Sequence, residues 1–271
     1  MTDTATAVRA PGATFVERSI DAAGFVVRYL EAGSGPAVLY LPGAGGPVMT
    51  FALDALALRF RVLVVELPGW GAQPNDVDDF DGFAAQVAQI AAALGLERFH
   101  LMGTSFGGAC ALHFVTRFGD MVESLVLEAP AKFRESSADP SKLAPDAFLT
   151  AFRSHPERLP HMGSPDPGLM RRVWPTVERL MGDGSDDGFA DRLAGVPTRT
   201  LILFGRDDGI INPVNGRNLR RLLPNSSLQY VYDAAHDIQS DRPEAFADVV
   251  GDFLERGMRF LINDQDGLIN P

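Results

Sequence analysis

Cysteine is almost missing from this chain, since Cys110 is the only one among 271 residues. A single cysteine excludes an intrachain disulfide and a metal site built from several thiolates. Cys110 follows a serine-containing turn in a segment of small residues that looks helical, so we interpret it as a small buried side chain.

Long hydrophobic runs and clusters of positive charge are lacking as well. No apolar stretch has the length that spans a bilayer, and residues 1–14 lack the apolar core of a secretory signal. The net charge is −11 without a basic cluster, which argues against nucleic acid as a partner. We therefore expect a soluble cytoplasmic protein that acts on a small molecule, with no membrane or nucleic-acid partner. The sequence makes no prediction of oligomeric state.

Short apolar runs alternate with helical segments along most of the chain. Hydrophobic residues make up 46% of it, enough for a sizeable core. Strands are predicted at residues 25–30, 37–41, 62–65, 124–127, 200–204 and 228–232, and helices at 83–94 and 243–260. Such alternation predicts an α/β fold with a mainly parallel sheet flanked by helices.

Residues 131–196 break this alternation, because they are rich in proline and contain no apolar run typical of a strand. We interpret this stretch as a helical lid inserted into a core formed by residues 15–130 and 197–260, with tails at 1–14 and 261–271. An insert at this point would lie over the carboxyl ends of the strands, where open α/β sheets bind ligands. Its apolar side chains either line a substrate pocket or simply pack the lid onto the core. The candidates for the pocket are Phe148, Met162, Met170, Trp174 and Met181.

The most informative motif is Gly103-Thr104-Ser105-Phe106-Gly107. An apolar run precedes it and a small-residue helical segment follows it, which predicts a strand, a sharp turn and a helix with Ser105 at the turn. Glycines on both sides allow the strand and the helix to pack closely. The hydroxyl of Ser105 would lie at a helix N-terminus beside the backbone N–H of Phe106, an arrangement suited to a nucleophile with an oxyanion donor.

A serine nucleophile needs a histidine base and an orienting acid. Of the five histidines, only His236 lies on a loop directly after a predicted strand, at the correct edge of the sheet. The residues alone leave the acid open. Asp207 and Asp208 follow the strand at 200–204, and Glu128 follows the strand at 124–127.

Together these motifs resemble the α/β-hydrolase superfamily, in its branch with a serine nucleophile and a helical cap. The resemblance covers nearly all of the chain apart from the lid and the termini. It rests on the Ser105 motif, on Leu41-Pro42-Gly43-Ala44-Gly45-Gly46, on Glu66-Leu67-Pro68-Gly69-Trp70-Gly71, on Gly205-Arg206-Asp207-Asp208 and on His236.

The resemblance implies a role for several further residues. Family members usually place the acid three residues after the glycine, which selects Asp208, although some use the strand end where Glu128 stands. The second oxyanion donor is implied to be the backbone N–H of Ala44, beside that of Phe106. Many members have a histidine where this chain has Pro42, but the implied donor is the backbone N–H of Ala44, which this difference does not remove.

The chemistry implied is that of a Ser105-Asp208-His236 triad acting through an acyl-enzyme, with no metal or organic cofactor required. A serine nucleophile disfavours the dehalogenases and epoxide hydrolases of the superfamily, which carry aspartate there.

The first expectation for the substrate is a small or medium apolar carboxylic ester. The alternative is hydrolytic carbon–carbon cleavage of a ring-cleavage product, with Arg171, Arg172 and Trp174 binding a carboxylate and an aromatic ring. Against it, Asp237 follows the histidine where a tryptophan is often found. A third hypothesis is a ligand receptor that keeps the triad but turns over slowly.

Overall fold

Eight strands form one sheet at the centre of the protein. The computed structural model describes residues 10–133, 143–161, 167–182 and 188–260. The strands are β1 (Val16–Ala22), β2 (Phe25–Ala32), β3 (Ala37–Leu41), β4 (Arg61–Val65), β5 (Phe99–Thr104), β6 (Val122–Glu128), β7 (Thr200–Gly205) and β8 (Ser226–Val231). Their order in the sheet is β1-β2-β4-β3-β5-β6-β7-β8. The β1–β2 and β2–β4 pairs are antiparallel, and the other pairs are parallel.

Helices cover both faces of this sheet. They are α1 (Phe51–Leu56), α2 (Phe80–Ala93), α3 (Ser105–Phe118), α4 (Pro145–Phe152), α5 (Pro167–Met181), α6 (Phe189–Ala194), α7 (Val214–Leu222), α8 (Ile238–Asp241) and α9 (Pro243–Arg256). Within the described ranges, no helix is long and apolar enough to cross a membrane.

The hydrophobic core has two layers, because successive side chains of a strand point to opposite faces of the sheet. On β3, Leu39 and Leu41 belong to the layer that contains α2 and α3. Val38 and Tyr40 belong to the layer that contains α1 and α9. This burial on both faces explains why the parallel strands appear in the sequence as unbroken apolar runs.

The prediction of a mainly parallel sheet flanked by helices is confirmed. Strand β1 was not predicted. Among the described strands it pairs with β2 alone and is mostly exposed, so it carries polar residues. Helix α2 begins at Phe80 rather than at Phe83, because the side chain of Asp79 accepts a hydrogen bond from the N–H of Gly82 at 2.7 Å. The last long helix ends at Arg256, short of residue 260.

Between β6 and β7 the described residues form α4, α5, α6 and a 3-10 turn at Pro156–His161, with no strand among them. Helices α4 and α5 both contact loops at the carboxyl ends of the strands. The predicted tail at 261–271 and residues 1–9 of the other tail lie outside the described ranges.

Candidate active site

Ser105 lies at the turn between β5 and α3 that the sequence predicts. Its φ of 53° falls in the left-handed region, which a residue with a Cβ adopts only with strain. Gly107 allows the turn, because a Cβ there would overlap the carbonyl oxygens of Leu41 and Pro42. Ser105 is partly exposed and is the first residue of α3, at the positive end of the helix dipole. A serine in this position is accessible and lies close to the N–H groups of the first turn of α3, which have no acceptor within the helix.

The loop after β3 passes beside Ser105. A Cβ added to Gly43 would lie 3.5 Å from the Cβ of Ser105. The indole N–H of the buried Trp70 donates to the carbonyl of Ala44 at 2.8 Å, and its ring stacks on Phe106 with centroids 5.3 Å apart. Trp70 therefore connects the two residues whose N–H groups the resemblance assigns to the oxyanion. The sequence places this tryptophan in the Glu66–Gly71 motif, but no local pattern predicts its contacts with Ala44 and Phe106.

The His236 side chain contacts Asp208, and both are buried. Their Nδ1 and Oδ2 atoms are 2.9 Å apart. The other oxygen of Asp208 accepts the backbone N–H groups of Ile210 and Ile211, each at 2.8 Å. Gly205 lets the two loops approach, because a Cβ there would overlap backbone carbonyl oxygens of the histidine loop. Since a carboxylate can only accept a hydrogen bond, Nδ1 of His236 carries the proton of the neutral imidazole. Its Nε2 is therefore unprotonated and can accept a proton from another group.

The three carboxylates that the sequence left open occupy different environments. Asp208 contacts the imidazole, whereas Asp207 is exposed and uses its backbone N–H to bind the carbonyl of Ala234 at 3.0 Å. Glu128 is fully buried and hydrogen-bonds to Thr104 and Gln239. Of the three, Asp208 is the one placed to orient the histidine.

Electrostatics around His236 favour its charged form. Burial by itself lowers the pKa of His236, but the carboxylates of Asp208, Glu128 and Asp237 outweigh it and leave that pKa above its usual value. Burial, and then the nearby Asp237, raise the pKa of Glu128 to about 7, although hydrogen bonds from Thr104 and Gln239 oppose the rise. An imidazolium at this position would be stabilised by the surrounding charge. Among the residues the structure describes, no group of three His, Cys, Asp or Glu side chains is arranged to hold a metal ion.

Helix α4 of the insert packs on the histidine loop. The ring of Phe152 lies 5.2 Å from that of His236, and the N–H of Asp237 donates to the carbonyl of Phe152 at 3.1 Å. The buried side chain of Arg153 binds Asp237 through two nitrogens, at 2.6 and 2.8 Å. Phe148, a predicted pocket residue, stacks on Phe152 and is 40% exposed. The insert therefore contributes aromatic surface next to the imidazole.

Three of the other predicted pocket residues belong to α5. Met170 is half-buried and Met181 packs against the core. Trp174 is 38% exposed, and its indole N–H donates to Glu178 at 2.8 Å. Met162 lies outside the described residues. A pocket role for these four side chains remains a prediction.

Two arginines and one leucine near the start of α5 differ in their surroundings. Arg171 and Arg172, which the carbon–carbon alternative would use, are exposed. Leu169, close to them in the chain, reaches Gly46 in the loop after β3. An apolar side chain of α5 thus contacts the loop that passes beside Ser105.

Comparison with known proteins agrees with this fold. The profile of the alpha/beta hydrolase family matches residues 38–249. N-formylmaleamate deformylase of Pseudomonas putida is 28% identical, over 88% of this chain and 96% of its own length. A 2-hydroxy-6-oxo-6-phenylhexa-2,4-dienoate hydrolase of Comamonas testosteroni is 26% identical, over 87% of this chain and 93% of its own. Pimeloyl-[acyl-carrier protein] methyl ester esterase of Neisseria meningitidis is 32% identical, over 80% of this chain and 91% of its own length. Since the profile spans most of the chain, this protein belongs to the alpha/beta hydrolase family.

Proposed function

We propose that this protein is a serine hydrolase of small or medium apolar carboxylic esters, with Ser105 as nucleophile, His236 as base and Asp208 as the orienting acid. The observation that carries the proposal is the buried 2.9 Å contact between Asp208 and His236. It leaves Nε2 of the imidazole unprotonated, which is the form a general base requires. The strained turn at Ser105 supplies the matching nucleophile.

The reaction follows from these groups. Nε2 of His236 takes the proton of Ser105 as its oxygen attacks the ester carbonyl, and the N–H groups of Ala44 and Phe106 bind the oxyanion, an effect worth about 3–4 kcal/mol per donor. The imidazolium then gives its proton to the departing alcohol, which leaves an acyl group on Ser105. Water, activated by the same imidazole, attacks the acyl-enzyme and releases the acid. Asp208 keeps the imidazole in one tautomer throughout.

Apolar, uncharged substrates fit the surroundings best. The ring of Phe152 contacts the imidazole, and the ring of Phe148 stacks on that of Phe152, so the insert offers aromatic surface beside His236. The carboxylates of Asp208, Glu128 and Asp237 all act on His236, and a negatively charged group bound close to them would be repelled. We further propose that residues 131–196 form a lid over this site. The similarity to a methyl ester esterase supports an ester as substrate.

Carbon–carbon hydrolysis is the second candidate, favoured by the similarity to the dienoate hydrolase. It would use the same attack of Ser105 on a carbonyl, with a carbanion rather than an alcoholate leaving. Its substrate carries a carboxylate and needs a cation beside the site. Arg171 and Arg172 are the candidates of the insert, and both are exposed in this structure.

The test combines a covalent probe with a substrate panel. A fluorophosphonate should label the wild type at Ser105 and should not label Ser105→Ala. Among p-nitrophenyl esters of increasing chain length, we expect the highest kcat/KM for short and medium acyl groups. Faster turnover of a 2-hydroxy-6-oxo-dienoate than of any ester would favour the second candidate. Saturable binding of esters with negligible turnover would instead indicate a receptor, and absence of labelling would contradict the serine mechanism.

A further inference from the structure

A buried hydrogen-bond network lies directly behind the two proposed reacting residues, and the mechanism above does not use it. Its centre is Glu128, the last residue of β6, which is 0% exposed. One oxygen of this carboxylate accepts the hydroxyl of Thr104 and the side-chain amide of Gln239, each at 2.6 Å. The other accepts the backbone N–H of Gln239 at 3.1 Å. The phenol of Tyr40 completes the network, at 3.0 Å from both Thr104 and Gln239.

The two partners of Glu128 belong to the two halves of the site. Thr104 precedes Ser105 in the chain, and Gln239 lies in the first turn of α8, just after His236. Asp208 orients the imidazole, but its side chain hydrogen-bonds to the histidine loop and to its own turn. A single carboxylate thus connects the chain segment that carries Ser105 to the segment that carries His236.

The hydrogen bonds are all satisfied when Glu128 is ionised. Thr104 has one hydroxyl proton, which it gives to Glu128, so Tyr40 must donate to Thr104 and the Gln239 amide to Tyr40. Thr50 approaches the amide oxygen of Gln239 at 3.4 Å and so fixes which end of the amide faces Glu128. A protonated Glu128 would reverse the Thr104 bond and leave one hydroxyl proton, that of Thr104 or that of Tyr40, without an acceptor in this network. A fully satisfied buried network holds its members in one arrangement.

We propose that Glu128 is a positioning residue that holds Ser105 and His236 in reactive alignment through Thr104 and Gln239. This inference rests on the proposed function. Misplacement of a reacting group by about 1 Å lowers a rate by on the order of a hundredfold. Loss of the connection should therefore lower kcat with little change in KM.

Glu128 also acts on the imidazole through its charge. The charged groups that face His236 are Asp208 from the loop after β7, Glu128 from β6 and Asp237 from its own loop, the last of which is paired with Arg153 of the insert. Removing the charge of Glu128 takes away one of the contributions that raise the pKa of His236. The acid limb of the kcat/KM profile should then move to lower pH. A residue that only stabilises the fold would not move this limb.

The main variant is Glu128→Gln, which keeps the volume but turns an amide N–H₂ toward the amide N–H₂ of Gln239. We expect kcat to fall by about ten- to a hundredfold, KM to stay within about twofold, and the acid limb to shift down. The double variant Glu128→Gln/Gln239→Glu exchanges the two groups and restores a donor facing a carboxylate. It should recover about tenfold in kcat over the single variant and return the acid limb upward. Glu123→Gln, at the other end of β6, is the matched control and should behave as the wild type.

The measurements are kcat, KM and their pH dependence with a p-nitrophenyl ester, and the rate of fluorophosphonate labelling, each normalised to folded protein by near-UV circular dichroism. If Glu128→Gln does not fold, Gln239→Met removes only the amide and should lower kcat with the acid limb unmoved. Two results would overturn the positioning role alone: a kcat of folded Glu128→Gln within about threefold of the wild-type value, or no recovery of kcat in the double variant. Failure of the wild type to react with the fluorophosphonate would overturn the serine mechanism, and this inference with it.

Discussion

Replacing Asp208 with asparagine should reverse the tautomer of His236 and almost abolish activity. The change removes one charge and turns one acceptor oxygen into an N–H₂ donor without altering the shape of the side chain. Because Nδ1 of His236 lies 2.9 Å from the oxygen that would be replaced, the outcome depends on which way the new amide turns.

The structure indicates that orientation. The other oxygen of Asp208 accepts N–H groups from Ile210 and Ile211, both at 2.8 Å. An asparagine that turned its N–H₂ toward these donors would leave both unsatisfied, at about 1–3 kcal/mol each. The amide nitrogen therefore faces His236, which must accept at Nδ1 and carry its proton on Nε2. In that form it cannot take the proton of Ser105.

The expected magnitude follows from the same hydrogen bonds. At 1.4 kcal/mol per tenfold change, two unsatisfied donors favour the wrong tautomer by about 30- to 10⁴-fold. We expect kcat for a p-nitrophenyl ester to fall by about that factor, with the fold and KM retained.

Two further carboxylates provide the comparison under identical conditions. Asp207→Asn should keep kcat within about threefold, because Asp207 is exposed and only its backbone N–H is engaged. Glu128→Gln should give a smaller loss than Asp208→Asn. If Asp208→Asn is nearly normal and Glu128→Gln is the inactive enzyme, the acid follows the earlier strand and the reasoning from the structure is wrong.

Five other changes test the site and its surroundings. Ser105→Ala should lose at least about a thousandfold in kcat. In urea, the free energy of unfolding of Ser105→Gly should exceed that of Ser105→Ala by about 1 kcal/mol, because glycine relieves the strain at φ 53°. Equal urea midpoints for the two variants would argue against strain. The rate should fall as pH drops and His236 becomes protonated, with a midpoint above about 6.5 because the pKa of His236 is raised; a midpoint below that value would contradict the role of the carboxylates. Trp174→Ala should change KM and ester chain-length preference more than thermal stability, and unchanged kinetics would remove Trp174 from the pocket. Arg153→Met should lower the free energy of unfolding by about 3 kcal/mol, measured in urea, because it leaves the Asp237 carboxylate without its partner; a loss below about 1 kcal/mol would show that solvent replaces the arginine.

Features encoded in neighbouring residues could be predicted from the sequence. Apolar runs such as 37–41 predict strands correctly because a sheet covered on both faces needs apolar side chains at every position. The turn at Ser105 is equally local, since a serine between two glycines after a strand has few other backbone arrangements. His236 could be singled out because it follows a strand at the correct edge. The exposed strand β1 escaped this reasoning, because its polar residues resemble those of a loop.

Other features were decided only by the tertiary structure. Asp207 and Asp208 are adjacent in the sequence, and the turn after β7 exposes one and buries the other against His236. Glu128 was the alternative acid, and its carboxylate is occupied by Thr104 and Gln239. These partners come from segments far apart in the chain, and their distances depend on how the strands and loops pack together. The chain by itself therefore determined the family of fold and the candidates for nucleophile and base, and the resemblance selected Asp208 as the candidate acid. Only the three-dimensional packing decided which carboxylate contacts His236, because a hydrogen bond between distant segments leaves no local pattern in the sequence.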